Sequence, residues 1–296
     1  MKKTITLSLL LAIVLLMGCT QNEEKTTTAD GVKITLSLGT NQVRQGRQTT
    51  LNVKVNNNYP ENLENAVLKI IAPSDIEVLG GGIKTDLQIP KGGTEFPTSW
   101  TLKVNDNAIK RDYQIKARLC FDYNSTGYQD LIYSSTKTTT KPQSGSTKGP
   151  VTVTVSGAEN GYDITSNNEA YLLVTATNTN NGKIQYAYDD TRELINFEIT
   201  IRDPNIHLYV IDNLLATDLL GYEYAEDGDI KIYSKGEGYP ADNGMAQVSL
   251  PIGICDEEAA SNGLCQIVEG ESISTVNARA EYTYCIDSDS ITLTVN

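Results

Sequence analysis

Polar and apolar residues alternate along most of this chain with the period of a β-strand. Residues 33–38 read Lys-Ile-Thr-Leu-Ser-Leu, and residues 50–56 repeat the alternation. Successive side chains of a strand point to opposite faces, so this pattern predicts strands that bury one face. Glycine-rich turns separate further predicted strands, which lie at 66–71, 85–89, 98–104 and 113–123. The first half is therefore expected to form a β-sandwich.

The second half repeats this order of strands. Residues 151–155 match 34–38, and residues 171–178 match 50–57, each of the latter ending in an Asn-rich turn. The second copy is longer, because it contains an insertion at about 208–246 in which residues 212–220 predict a short helix. We expect an all-β chain with two β-sandwich domains in tandem.

Domain boundaries follow from composition. Residues 141–150 contain two prolines and two glycines and no apolar run, which predicts a linker. Residues 19–31 are polar and include three consecutive threonines, which predicts a flexible tether. The predicted units are a signal peptide at 1–18, the tether at 19–31, one sandwich at 32–140, the linker at 141–150 and a second sandwich at 151–296.

The N-terminal segment has the order of charge and apolarity that is typical of a secretory signal. Lys2 and Lys3 precede an apolar run at 5–17, which is too short for a stable membrane span. The following residues, Leu16-Met17-Gly18-Cys19, resemble the lipobox of prokaryotic lipoproteins. The resemblance implies that the Cys19 thiol receives a diacylglyceryl group and that Cys19 becomes the first residue of the mature chain. The alternative is an ordinary cleaved signal with an incidental cysteine.

A second resemblance covers about residues 32–137. Val43, Gly46 and the strands at 49–57 and 66–70, followed by a Lys-Gly-Gly turn before Trp100, resemble extracellular Ig-like domains of the adhesion type. Such domains occur in bacterial and archaeal cell-surface proteins and are called CARDB or S-layer-related. The resemblance implies an Ig-like sandwich and a surface location, and it brings no catalytic residues.

Composition and charge narrow the partners. The chain has 16 tyrosines against three phenylalanines and one tryptophan, which suits half-buried strand faces. Its net charge is −13, and loss of Lys2 and Lys3 with the signal peptide makes the exported chain more negative still. Such a surface repels nucleic acid and anionic lipid headgroups, so we expect membrane attachment through the lipid alone. The expected location is extracytoplasmic, at the cell membrane or cell surface.

Four cysteines remain after Cys19, and in an exported chain they allow three disulfide connectivities. Cys255 and Cys265 bracket a polar loop and could form a local disulfide. Cys120 and Cys285 would then tie the two domains together. Zinc is a weaker alternative, because the chain has no C-x-x-C pair and its single histidine, His207, is remote in sequence.

No catalytic motif emerges from the sequence. His207 has no second histidine to work with, and we expect it to be a half-exposed residue at the start of a strand. Acidic clusters at 189–190, 226–229 and 256–258 lie among turn formers, where carboxylates are ordinarily solvated. We therefore expect no enzymatic activity and no cofactor, with structural calcium at 226–229 or 287–290 as the alternative to solvated turns. A hydrolase that uses clustered acids is the least favoured hypothesis for the function.

Two further features bear on recognition. Tyr222, Tyr224, Tyr233 and Tyr239 cluster in the insertion, which makes it the candidate binding surface, although tyrosines also pack well on sheet faces. Asn124 begins an Asn-Ser-Thr sequon, expected on a hairpin turn, and is a glycosylation candidate. The expected function is non-enzymatic, in adhesion, scaffolding or binding of a protein or glycan partner. The alternative is capture of a glycan or solute through the Tyr-rich insertion.

Overall fold

The structure is a computed structural model, and its secondary structure is dominated by β-strands. It describes residues 31–134, 140–157, 161–163, 169–185, 194–203, 206–208, 210–211, 214–215, 222–226, 230–234, 239–241, 243–254, 261 and 270–296, and the backbone of 25–29. Within these ranges, no helical segment has the length and apolarity that a membrane crossing requires. The strands and their pairing into sheets confirm the all-β class and the β-sandwich architecture.

The strands vary from short bridges to ladders of more than fifteen residues. Those of the first half are β1 (Lys25–Ala29), β2 (Val32–Leu38), β3 (Gln42–Val43), β4 (Gln48–Asn57), β5 (Leu63–Ile71), β6 (Ile76–Leu79), β7 (Ile83–Ile89), β8 (Glu95–Val104), β9 (Asp112–Ser134) and β10 (Ser144–Ser146). Those of the second half are β11 (Val151–Ser156), β12 (Tyr162–Asp163), β13 (Glu169–Asn178), β14 (Lys183–Gln185), β15 (Leu194–Ile201), β16 (Ile206–Leu208), β17 (Val210–Ile211), β18 (Leu214–Leu215), β19 (Tyr222–Glu226), β20 (Ile230–Ser234), β21 (Tyr239–Pro240), β22 (Met245–Ile254), β23 (Glu271–Asp287) and β24 (Ile291–Val295).

One large sheet runs through both halves of the chain. Its central strands, β9 and β23, pair antiparallel over 17 residues, from Ser134 opposite Glu271 to Arg118 opposite Asp287. β5 and β7 extend this sheet in the first half, and β15, β20 and β19 extend it in the second. A five-stranded sheet, β1-β2-β4-β8-β6, lies over the first half, and a four-stranded sheet, β11-β13-β22-β16, lies over the second.

The chain also returns to its first half at the end. β24 pairs with the start of β9 and runs parallel to β3, where Val295 lies opposite Val43. The last strand of the predicted second domain therefore completes the sheet of the first. The boundaries 32–140 and 151–296 stay a prediction, and the structure adds that the two halves share strands rather than only a linker.

Alternation along β9 and β23 separates an apolar face from a polar one. Directly opposed residues of an antiparallel pair lie on the same face. On the inner face Phe121 lies opposite Tyr284 and Tyr123 opposite Tyr282, and all four are buried in the apolar core. The aromatic rings contact one another at tilted or edge angles, with the Phe121 and Tyr284 centroids 5.9 Å apart. The outer face carries the polar pairs described below.

A close approach of backbones joins the second half to this ladder. An added Cβ at Gly127 of β9 would lie 2.2 Å from the carbonyl oxygen of Val153 in β11. Only glycine therefore lets β11 cross β9 at this distance. The buried hydroxyls of Ser125 and Tyr282 lie 2.7 Å apart beside it, and the Tyr282 hydroxyl accepts a hydrogen bond from the backbone N–H of Val151.

Three segments differ from their expected local structure. Lys25–Ala29, part of the predicted tether, forms β1 and pairs antiparallel with β2, because its β-branched residues can extend the open edge of that sheet. Ser144–Ser146, inside the predicted linker, forms β10 and pairs with β9. The predicted helix at 212–220 is wrong at Leu214–Leu215, which forms β18 and pairs with β17. Each of the three pairs with the neighbouring strand in chain order, and this pairing is not evident from the composition of the segment itself.

Candidate functional site

The outer face of the shared sheet carries rows of polar side chains. Register places Asp122 opposite Thr283, with Glu64 of β5 opposite Asp122 on the other side. The next row on the same face, two residues farther along β9, consists of Asn124, Glu281 of β23 and Asn196 of β15. Strand register alone therefore aligns carboxylates, amides and a hydroxyl from four strands of both halves.

These rows, with Glu64 at the rim, form the floor of a cleft of about 660 Å³ between the two halves. Glu61, Asn62 and Lys91 border it on the side of the first half, and Leu194 borders it on the side of the second. The remaining lining residues are Glu64, Asn65, Asp122, Tyr123, Asn124, Gln185, Asn196, Glu281, Tyr282 and Thr283. Its volume is within the range of ligand-binding clefts.

A β-bulge shapes the wall that the first half contributes. The pairing of β5 with β9 shifts by one residue between Glu64 and Val67, so that β5 has one residue more than its partner. Asn65 within this bulge has a φ of 49°, a left-handed conformation that asparagine tolerates better than most residues. The bulge turns Asn65 toward the cleft, where its amide Nδ2 donates a 3.2 Å hydrogen bond to Asp122.

The acidic side chains of the floor have fixed positions. Asp122 also accepts a 2.8 Å hydrogen bond from the Thr283 hydroxyl. Glu281 lies 2.7 Å from the guanidinium of Arg279, which neutralises much of its charge. Glu61 and Glu64 stand exposed on the rim, and Lys91 is the one basic residue among the described lining residues. The cleft is therefore polar and negatively charged, and its floor is pre-organised.

Two buried tyrosines support the cleft from below. Burial, together with the nearby carboxylate of Glu61, raises the pKa of Tyr123 from 10.0 to about 12. Burial raises the pKa of Tyr282 as well, against the opposing effect of its hydrogen bonds to Ser125 and Val151. The Tyr123 hydroxyl donates to the backbone carbonyl of Lys148 at 3.2 Å. Both hydroxyls are thus bonded within the fold.

These raised pKa values predict a loss of stability at alkaline pH. The Tyr123 contribution is fully present below pH 10.0, where tyrosine is neutral in both states, and it is lost as the pH rises toward about 12. We expect the free energy of unfolding to fall over this interval and to fall less steeply in a Tyr123→Phe variant. Urea unfolding at stepped pH, followed beside tyrosinate absorbance, measures both slopes. Equal slopes in variant and wild type would contradict the assignment.

A disulfide joins β9 and β23 at one end of the sheet face that carries the cleft. Cys120 and Cys285 are directly opposed on β9 and β23, and their sulfur atoms are bonded at 2.08 Å. This disulfide, predicted from the sequence as a tie between the two halves, is confirmed. The side-chain oxygen of Gln185, a cleft residue that is only 9% exposed, lies 2.7 Å from Cys285 Sγ. The disulfide therefore fixes the β9–β23 register next to the floor.

The other predicted site residues fall in different places. Cys19, Cys255 and Cys265 lie outside the described residues, as do the acidic residues at 189–190, 227–229 and 256–258. Tyr222 and Tyr224 belong to β19 and Tyr233 to β20, at the far edge of the shared sheet. Tyr239 is partly buried, with its ring 6.0 Å from that of Phe197. Tyr239 is not among the described lining residues of the cleft, and the side chains of the other three tyrosines lie outside what the structure describes.

The sequon has a different setting from the expected one. Asn124 lies in the middle of β9, opposite Glu281, and not on a hairpin turn. The turn assignment is wrong because Ser125 points inward to the Tyr282 hydroxyl and holds the strand extended. Asn124 faces the cleft, so a glycan attached to it would occupy the candidate site.

In the loop at 287–290, the calcium alternative, two of the four side chains bond within the fold. The Asp287 carboxylate accepts two hydrogen bonds from Arg118, at 2.6 and 3.0 Å, and these hold its pKa below the usual range. Ser288 is buried, accepts from the backbone N–H of Ala117 and donates to the backbone carbonyl of Asp289. In the described part of the chain, no group of three or more His, Cys, Asp or Glu side chains converges as metal ligands would.

Comparison with known proteins finds remote structural likenesses. No family model matches it, and no curated protein matches it. A solved structure titled "pT26-6p" aligns at 10% identity and a TM-score of 0.24, over 93% of this chain and 66% of that one. The collagen adhesin CNA from S. aureus aligns at 10% identity and a TM-score of 0.13, over 92% of each chain. Likenesses this low carry no argument, and the CARDB-like assignment stays a prediction.

Proposed function

We propose that this protein is a non-enzymatic, lipid-anchored protein of the cell surface that binds a partner in the cleft between its two halves. The observation that carries the proposal is the cleft itself, which both halves line and whose floor is a rigid ladder of paired strands. Adhesion and scaffolding require such a fixed recognition surface held outside the cell. The lipobox and the signal sequence supply the expected attachment.

The chemistry of the cleft favours a partner with basic side chains. Glu61, Glu64 and Asp122 outnumber Lys91, and the chain as a whole is strongly acidic. Complementary charge steers the approach of a cationic partner and repels anionic ones. Amide groups of Asn62 and Asn196 add donors and acceptors for the backbone of a bound segment.

A glycan partner is a weaker fit to the same geometry. Among the described lining residues the aromatic ones are Tyr123 and Tyr282, and both are almost completely buried, so neither offers an open ring face. Their hydroxyls are engaged by Lys148, Ser125 and Val151. The cleft therefore presents charge and amides more than the amphipathic rings that suit a sugar. We place a basic segment of a surface protein ahead of the glycan.

The proposal is tested with arrays of short peptides of graded charge and of neutral oligosaccharides, probed with the purified protein. We expect retention on Lys- and Arg-containing peptides, weakened by salt. A Glu61→Gln/Glu64→Gln variant should lose about tenfold in affinity, because both carboxylates lie on the rim. Both side chains are exposed, so the change leaves the core intact.

The matched control is Glu77→Gln/Glu95→Gln, which removes the same charge from the sheet on the other side of the first sandwich. This control should bind as wild type does. Retention on neutral oligosaccharides instead of basic peptides would favour the glycan-binding alternative. Equal loss in both variants would mean that overall charge and not the cleft governs binding, and would refute the site.

A further inference from the structure

We infer that one end of the first sandwich rests on the membrane surface and that Ile109 enters the headgroup layer there. This surface, the anchor-side tip, consists of the turn at 44–47 and the loop at 105–111. The inference rests on the proposed lipid anchor at Cys19 and adds which face of the protein the anchor brings to the bilayer. It assigns a second contact with lipid that the charge of the whole chain does not predict.

Strand register fixes which end of the sandwich leads to the anchor. β1 starts at Lys25, which pairs with Leu36 near the end of β2, and Leu36 pairs with Val53. The chain therefore enters β1 from the end of the sheet at which Gln48 pairs with Lys103. The anchor-side tip lies just beyond Gln48 and Lys103, because Gly46 and Arg47 exchange backbone hydrogen bonds with Val104.

The length of chain before β1 leaves little room between this end and the bilayer. Cys19 lies six residues before Lys25. A fully extended chain of that length reaches about 20 Å. The distance from the level of Lys25 down to that of Gln48 is five residues of β4, or about 17 Å. A lipid on Cys19 therefore stays within about 20 Å of Lys25, so the anchor-side tip lies within reach of the membrane surface.

Ile109 is displayed on a rigid part of this tip. It is 62% exposed, the most exposed of the large hydrophobic side chains in the described residues. Its neighbour Ala108 is buried, and the Ala108 carbonyl accepts a 2.7 Å hydrogen bond from the Gln45 amide. The Ile109 carbonyl accepts from the Tyr113 hydroxyl at 2.8 Å. A single exposed isoleucine is ordinary, but this one is fixed at the end nearest the anchor.

The charges of the tip differ from those of the rest of the protein. Arg44, Arg47 and Lys110 are exposed there and form no ion pair among the described residues. Lys103 and Arg111 are paired with Glu77 and Asp75 at 3.9 and 3.7 Å. Asp106 in the same loop is exposed and lies against the turn at Gly46, so the three unpaired basic residues outnumber it. In a chain of net charge −13, this basic excess beside Ile109 suits anionic headgroups around an apolar side chain.

The test places a tryptophan at Ile109 in the full lipidated chain. The chain is reconstituted in vesicles of phosphatidylglycerol and phosphatidylcholine brominated near the glycerol end of its acyl chains. Ile273→Trp is the matched control, because Ile273 is 53% exposed but pairs with Ile132, about 60 Å from the tip along β9. Trp100 emits equally in both variants and is subtracted with the unmodified chain.

We expect most of the added emission to be lost for Ile109→Trp and little of it for Ile273→Trp. Changing Arg44, Arg47 and Lys110 together to glutamine should reduce the loss at position 109. An unquenched Ile109→Trp chain that still floats with the vesicles would overturn the inference and leave the anchor in place. Equal quenching at both positions would mean that the protein lies flat, which also overturns it. A chain that does not float at all would refute the anchor itself.

Discussion

A Cys19→Ser variant is expected to leave the membrane fraction and accumulate in the medium or the extracytoplasmic fluid. The thiol is the predicted acceptor of the diacylglyceryl group, and serine cannot replace it. Each buried methylene contributes about 0.8 kcal/mol to membrane attachment, so the loss of two acyl chains outweighs any contact by the anchor-side tip. The net charge of −13 opposes rebinding to anionic lipid. Fractionation with quantitative blotting measures the change.

The control is Thr20→Ser, which keeps the cysteine and should stay with the membrane. The thermal midpoint of the Cys19→Ser chain should match that of wild type, because the confirmed disulfide uses Cys120 and Cys285. A Cys19→Ser chain that remained in the membrane fraction would contradict the lipoprotein assignment. A released chain with a lowered midpoint would point to a structural role for Cys19 instead.

A Cys120→Ala/Cys285→Ala variant is expected to lose about 2–5 kcal/mol of unfolding free energy. The disulfide joins residues 165 apart in sequence, so its removal frees a long loop in the unfolded chain. It also pins the register of β9 on β23, which runs through both halves. Urea denaturation of the oxidised protein measures the midpoint and slope.

The comparison variant is Cys255→Ala/Cys265→Ala, which removes the other predicted pair. That pair would close a short loop, so its loss should cost less. Mass spectrometry of the unreduced protein counts free thiols in each variant and shows whether the local pair forms. An unchanged midpoint after loss of Cys120 and Cys285 would mean that strand pairing alone holds the register.

Local periodicity predicted most of the first-half strands, because alternation between a buried and an exposed face is written in adjacent residues. The sequence predicts that one of these strands ends at Tyr123, because the next four residues, Asn124-Ser125-Thr126-Gly127, are of the types found in turns. The structure continues β9 to Ser134 because Ser125 bonds Tyr282 and Gly127 admits β11. Neither Tyr282 nor β11 is close in sequence, so the pattern of adjacent residues does not indicate these contacts.

The cleft was harder to predict for the same reason. Its floor combines β5, β9, β23 and β15, and the central pairing, of β9 with β23, joins residues more than a hundred positions apart. One signal was present in the sequence: Asp122 and Asn124 continue the polar face of the predicted strand beyond Arg118, with an acidic and an amide side chain. The composition of the Tyr-rich insertion predicted a binding surface there, whereas the described residues of the cleft are mainly amides and carboxylates on the shared sheet.

The antiparallel pairing of β1 with β2 has a mechanical consequence. If the lipid on Cys19 holds the chain while a partner pulls on the cleft, tension enters the fold at Lys25 and acts along β1. Five register pairs connect β1 to β2, from Lys25 opposite Leu36 to Ala29 opposite Val32. A pull along the strand stretches the hydrogen bonds between them in shear, all together, rather than opening them one after another from an end. The hydrogen bonds between β1 and β2 would therefore share the tension and keep β1 paired while the anchor and the partner pull in opposite directions.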